Sequence, residues 1–252
     1  MIRTGKRRNG ESLFLFAPHS FFSNLSLYDA RALAAYLKSL PAIRNTIAPR
    51  DLPFTPTSTA SVSALQTAPL GRSLARATYL LNALVGCREC HSYAKDGRLL
   101  DFAGADPRDP VHGVFRLGPD LPLRQTERGF AAFPYPGYAI LYAGNLTTFG
   151  IDGPQKGVPA KRLVRAIREG IAVDPDEYGR PRPLAHIMMW QFYVAMNDDD
   201  AYSIAEYIKT LHYVPHDIGQ KLIFFGTDWE DAFTSVFGSS PSQNDRKLFG
   251  KP

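Results

Sequence analysis

Apolar residues recur at three- and four-residue spacing in four places along the chain, and each recurrence predicts a helix. Leu33, Tyr36, Leu37 and Leu40 form one stripe, with Ser26 placed to cap its start and Pro41 just beyond its end. Leu74, Thr78, Leu81 and Val85 form a second, on a helix within 71–86. A short third helix over 159–169 turns Leu163 and Ile167 inward and stops at Gly170. In the fourth, Asn197 is the cap, Asp198, Asp199 and Asp200 favour the positive helix end, and Ile204, Tyr207, Ile208 and Leu211 line up. The intervening stretches lack such a period. Residues 46–69, rich in Pro, Thr and Ser, predict an extended linker. Residues 92–142, with six prolines and the run Phe133-Pro134-Tyr135-Pro136-Gly137-Tyr138, predict mostly loop. After Gly219 comes an aromatic, otherwise polar tail with Phe224, Phe225, Trp229, Phe233 and Phe237, which suits a helix docked on the body or on a partner.

The first and fourth stripes belong to an internal repeat. Ile2-Arg3-Thr4-Gly5 matches Ile167-Arg168-Glu169-Gly170 at an offset of 165. From Ala17-Pro18-His19 the match runs at 171 against Met188-Met189-Trp190, with an insertion around 174–179 in the second copy. Phe21-Phe22 then pairs with Phe192-Tyr193, Asp29-Ala30 with Asp200-Ala201, Tyr36-Leu37 with Tyr207-Ile208, and Leu40 with Leu211. Residues 1–45 thus read as the C-terminal half of a unit whose complete version occupies about 70–218.

The second helix delivers the chain to Gly86-Cys87-Arg88-Glu89-Cys90-His91, which holds the only two cysteines in 252 residues. C-x-x-C-H is the spacing of a covalent c-type haem attachment site. Two thiols three apart lie on one face of a helical turn and are placed to add to the two vinyl groups of one haem. Cys87 and Cys90 are then the thioether anchors and His91 the proximal iron ligand. A thioredoxin-like redox pair or half of a zinc site also uses C-x-x-C. Zinc needs a second ligand pair, and no further cysteines exist; no βαβ pattern surrounds the motif. For a second iron ligand the candidates are Met188 and Met189, in a loop before the last helix about 100 residues after the motif, with His186 and His212 as nitrogen competitors. Met196 opens that helix opposite Leu25 of the first copy and reads as core.

Charge and length add bounds. Twenty-nine Lys and Arg against 24 Asp and Glu give a net +5, scattered without the basic runs or interleaved aromatics of a nucleic-acid binder. No stretch approaches the roughly 20 apolar residues that span a bilayer. Met1–Arg8 followed by Leu13–Phe16 faintly imitates a signal peptide, but Pro18 and His19 break it.

Taken together, Gly86–His91, Phe102-Ala103-Gly104, Asn145-Leu146-Thr147 with Gly150-Ile151, Ala166–Gly170, and Met188-Met189-Trp190 with Asp199-Asp200-Ala201 and Tyr207-Ile208-Lys209 resemble a family. It is the tandem-domain class I cytochromes c that serve as electron-transfer subunits of periplasmic dehydrogenases, such as the cytochrome subunits of alcohol and gluconate dehydrogenases. The resemblance implies a mainly α fold. A class I cytochrome c domain with one covalent haem c occupies 70–218, preceded by an incomplete cytochrome c-like half-domain at 1–45 and a linker at 46–69, and followed by an extension at 219–252. In the family's Met-Pro-aromatic pattern Met188 takes the iron-ligand position and Met189 that of the proline, with Met189 the alternative ligand. Asn145, Ile151 and Trp190 are implied to line or brace the pocket, Trp190 either through its indole N–H to a haem propionate or as a core residue. The first copy carries Ala17 at the ligand position and has no C-x-x-C-H, so as it stands it cannot hold a covalent haem.

The expected function is transfer of single electrons between a dehydrogenase or respiratory complex and the next carrier. The expected partners are redox proteins, a dehydrogenase subunit, an oxidase or another cytochrome, with no nucleic acid, and the expected location is the periplasm. The chain is read as a carrier, not an enzyme. Two other classes stand beside it: a haem enzyme, peroxidase-like or thiol-oxidising, with an open sixth site, and a structural subunit of a respiratory assembly.

Overall fold

The structure is a computed structural model that describes residues 1–13, 19–46, 61–106, 114–117, 138–175, 179–185, 188–216, 218, 222–225 and the single positions 230, 234, 240, 243 and 246. Helices predominate over strands in it. The chain divides into two compact units, Met1–Gly86 and Cys87–Pro252. Compactness therefore assigns the helix before the motif to the first unit, whereas the sequence pattern groups that helix with the motif in a unit spanning about 70–218.

In the first unit α1 (His19–Phe22), α2 (Leu27–Ser39) and α3 (Leu74–Ala83) surround a small core. Leu25, Tyr79 and Ala83 are its buried centre, with Ile2, Phe22, Ala30 and Ala68 against them. The Ser26 side chain accepts the Asp29 N–H at 3.0 Å, the expected cap. The Tyr79 hydroxyl ties α3 to that cap, accepting the Ser26 N–H at 3.0 Å and donating to the Asp29 carboxylate. Burial first, then the Asp29 hydrogen bond, raises the Tyr79 pKa. The predicted stripe on α3 is only half right. Leu81 and Val85 are buried, but Leu74 and Thr78 are exposed; the helix buries Ala77, Tyr79, Leu80 and Ala83 as well, with Tyr79 and Ala83 against Leu25. The end of the predicted linker is folded: Leu27 and Tyr28 donate to the carbonyls of Leu65 and Gln66 at 2.9 and 3.0 Å. Residues 47–60 of the linker lie outside the described residues, as does Ala17.

The second unit opens with α4 (Cys87–Cys90), a single turn, and the hairpin β1 (Tyr93–Lys95) and β2 (Arg98–Leu100). A three-stranded antiparallel sheet follows in the order β3 (Val114–Leu117), β4 (Tyr138–Tyr142), β5 (Leu222–Phe225). One expectation is corrected here and one is met only in part. The 92–142 stretch is not mostly loop among its described residues, since it supplies four strands. At 222–225 the tail is a strand on β4 and belongs to the unit's own sheet, whereas its described positions 230, 234, 243 and 246 are helical. Trp229, Phe233 and Phe237 lie outside the described residues.

Helices α5 (Ala160–Glu169) and α6 (Asp198–Thr210) pack on each other. As expected, α5 buries Leu163 and Ile167, together with Val164, and ends on Gly170 in the left-handed conformation, φ 65°. The Asn197 side chain caps α6 by accepting the Asp200 N–H at 2.8 Å, and Ile204 and Ile208 are buried. Arg168 at the end of α5 pairs with Asp198 at the start of α6, 2.5 Å apart.

Both copies of the repeat end in the same element. Helices α2 and α6 are each 13 residues long, start and stop at positions related by the 171-residue offset, and are capped by side chains that accept an N–H three residues on. They differ in what covers them. Tyr36 is 62% and Leu37 50% exposed, whereas Ile208, opposite Leu37, is buried and Tyr207, opposite Tyr36, meets the Phe102 ring edge-on at 5.9 Å. Among the described residues no helix is long and apolar enough to cross a membrane.

Candidate functional site

The single turn of α4 is closed by the His91 N–H, which donates to the Cys87 carbonyl at 2.9 Å. Residues three apart on such a turn project to one side, so the two thiols share a face. Arg88, on the outside of the turn, pairs with Asp101 at 2.7 Å and ties α4 to the end of the hairpin. Both cysteines are free thiols. Burial, with the neighbouring Cys90 adding, pushes the Cys87 thiol up to about 12. Burial and the nearby Glu89 push Cys90 up to about 11. Both therefore stay protonated at neutral pH, the reverse of the lowered pKa that activates a redox dithiol.

His91 is oriented by a backbone carbonyl. Its Nδ1 lies 2.7 Å from Gly144 O, and since a carbonyl only accepts, Nδ1 carries the proton. In the neutral ring the lone pair is then on Nε2, the atom through which such a histidine ligates a metal. The His91 backbone is held as well: its carbonyl accepts the Gly104 N–H at 2.8 Å. Gly104 has φ 83°, and a Cβ there would stand 2.8 Å from Asn145 N and 3.0 Å from Ala143 O. Only glycine lets the 102–105 segment lie this close to 143–147. Two further bonds lock these segments together, Ala105 N–H to Ala143 O at 2.9 Å and Leu146 N–H to Phe102 O at 2.8 Å. On the other side of the hairpin, buried Ser92 accepts the Phe102 N–H at 3.1 Å through Oγ. Tyr93 stacks on His216 at 4.3 Å, and His216 Nε2 lies 2.8 Å from Ala105 O.

In the loop that carries the candidate methionines, burial raises the Tyr193 pKa most, and the charges of Cys87 and then Cys90 raise it further. Met188 is half-buried, its N–H donating to Ala185 O at 2.9 Å. Met189 is more exposed and has φ 56°, a left-handed conformation that proline cannot adopt. The Trp190 ring covers Gly170, where a Cβ would collide with it, so the loop is seated on the end of α5. Asn145 is buried and caps the 3-10 turn Leu146–Phe149. Ile151 is 61% exposed and contributes its N–H to Leu211 O at 2.9 Å. His186 lies outside the described residues, and exposed His212 faces the Asp152 carboxylate at 3.2 Å.

Four residues of this site take their roles from the fold alone. Gly144 acts through its carbonyl, which no side-chain pattern reports. Thr147 and Val214 meet across 67 residues. Tyr193 carried a weak signal, a hydroxyl where the first copy has Phe22.

The donor set suits a c-type haem: two protonated thiols on one face of a turn, followed at once by a histidine whose Nδ1 is turned to a backbone carbonyl. Among the described residues no cluster of three or more His, Cys, Asp or Glu forms a ready-made metal cage. No protein-family model and no curated protein matches the sequence.

Proposed function

We propose that the chain is a c-type cytochrome that carries single electrons between a dehydrogenase or respiratory partner and the next carrier. What supports this reading above all is the Cys87–His91 turn, with paired neutral thiols and an imidazole oriented through Nδ1 by the Gly144 carbonyl. Cys87 and Cys90 would hold one haem c by thioether bonds, and His91 would ligate its iron. Met188, with Met189 the alternative, would supply the second ligand. When bound, the haem supplies a reversible one-electron couple.

The chain's own residues act by holding still. Gly144 keeps the His91 ring from turning, Gly104 and Ser92 fix the backbone on either side, and Trp190 seats the methionine loop on α5. A site with few soft degrees of freedom rearranges little when its charge changes, which is the requirement for a carrier. Thioether attachment is made outside the cytoplasm, and we place the protein in the periplasm or an equivalent compartment. Its partners are then other redox proteins.

The test is to export the chain in a host that matures c-type cytochromes and compare optical spectra of the wild type, Met188→Ala and Met189→Ala. A methionine–iron charge-transfer band present in the wild type and lost only in Met188→Ala supports the assignment; loss only in Met189→Ala moves the ligand by one residue. One observation favours a second reading, a haem enzyme with an open sixth site: the left-handed Met189 departs from the family's Met-Pro loop. In that case the band is absent from all three proteins and the reduced wild type binds carbon monoxide without delay.

A further inference from the structure

We infer that Asn145, Thr147 and Val214 form a clasp that sets how firmly Gly144 holds His91, and that Thr147 is thereby a positioning residue for the redox centre; this rests on the electron-carrier reading. The clasp is a closed set of hydrogen bonds. Asn145 Oδ1 accepts the Thr147 N–H at 3.0 Å and the Thr147 hydroxyl at 2.6 Å. The same hydroxyl accepts the Val214 N–H at 3.1 Å, and Asn145 Nδ2 donates to Val214 O at 3.0 Å. Two side chains thus engage both backbone groups of one residue that is far along the chain. Thr147 is 1% and Asn145 7% exposed. In so dry a setting each bond polarises the next, and removal of one partner leaves the others unsatisfied.

The clasp acts on the His91 partner through one peptide unit. Gly144 O belongs to the peptide whose nitrogen is Asn145 N, so fixing Asn145 fixes the direction of that carbonyl. From the other side Phe102 O accepts the Leu146 and Thr147 N–H groups at 2.8 and 3.3 Å, which sets the height of the segment but leaves the Asn145 side chain to Thr147 and Val214. A firm Nδ1–H···O bond makes Nε2 of an iron-bound histidine more basic and favours the oxidised metal. Loosening the clasp therefore raises the reduction potential.

Thr147→Val keeps the side chain's shape and deletes the hydroxyl, Thr147→Ser keeps the hydroxyl, and Asn145→Ser keeps a capping oxygen but loses the amide donor to Val214. Optical redox titration of the matured proteins reads the potential, and nitrogen-15 NMR reads hydrogen exchange of the His91 Nδ1–H. The expected result is a rise in Thr147→Val and Asn145→Ser that changes the oxidised-to-reduced ratio threefold to tenfold, tenfold being about 59 mV for one electron. Faster Nδ1–H exchange accompanies it, and Thr147→Ser matches the wild type in both. Unchanged potential and exchange in Thr147→Val and Asn145→Ser overturn the clasp. A wild type that takes up no covalent haem defeats the electron-carrier reading separately, since exchange at His91 in that same chain still decides the clasp.

Discussion

Cys87 and Cys90 look alike in the sequence to the thiols of a redox dithiol, and their surroundings tell them apart. Burial favours the neutral form of both, so their pKa values lie above the ordinary 9.0, at about 12 and about 11. The stabilisation from keeping them neutral is complete below about pH 9 and is lost as pH rises through 11 to 12. Alkylation of the haem-free chain by iodoacetamide should accordingly be slow at pH 8 and climb steeply above pH 10; a midpoint below the ordinary 9.0 would instead indicate an activated dithiol. Gly104 is the other residue on which the site turns. Alanine there must take φ 83° and meet Asn145 N, so Gly104→Ala should cost at least about 1–3 kcal/mol in denaturant unfolding and weaken protection of the Asn145 amide. Phe102-Ala103-Gly104 stood out in the sequence as a motif, but its reason, the close passage of 143–147, exists only in three dimensions.

Helices were legible because their information is local. The caps at Ser26 and Asn197, the stop at Gly170 and the buried Ile204 and Ile208 all follow from spacing within one element. The strands were not, because pairing is non-local: β4 joins β3 about 20 residues before it and β5 about 80 after it, and neither partner leaves a mark in the pattern around Tyr138–Tyr142. The exposed face of α2 shows the converse. Tyr36, Leu37 and Leu40 have the period of a buried stripe and remain at the surface, since amphipathic spacing records what a helix is able to cover, not what covers it. The strand β5 makes a prediction about the tail. Removing 219–252 takes away the partner of β4, so the amides of Tyr138–Tyr142 that bond to it should lose hydrogen-exchange protection while α5 and α6 keep theirs; unchanged protection would mean the pairing contributes nothing.

Across the whole molecule the repeat and the motif carry different parts of the account. The repeat recurs in structure as two capped 13-residue helices at matching positions, yet only the second copy has the C-x-x-C-H cysteines. On the proposed reading a chain with two related halves carries one redox centre, and its net charge of +5 would suit approach to an acidic partner. The proposal that this centre is a covalently bound haem is tested most directly by the intact mass of the chain after export in a host that matures c-type cytochromes. The account predicts the polypeptide mass plus that of one haem, resistant to acid-acetone extraction and absent from the Cys87→Ser, Cys90→Ser double variant. A wild type recovered at the mass of the polypeptide alone, from cells in which a known c-type cytochrome is fully loaded, would contradict it.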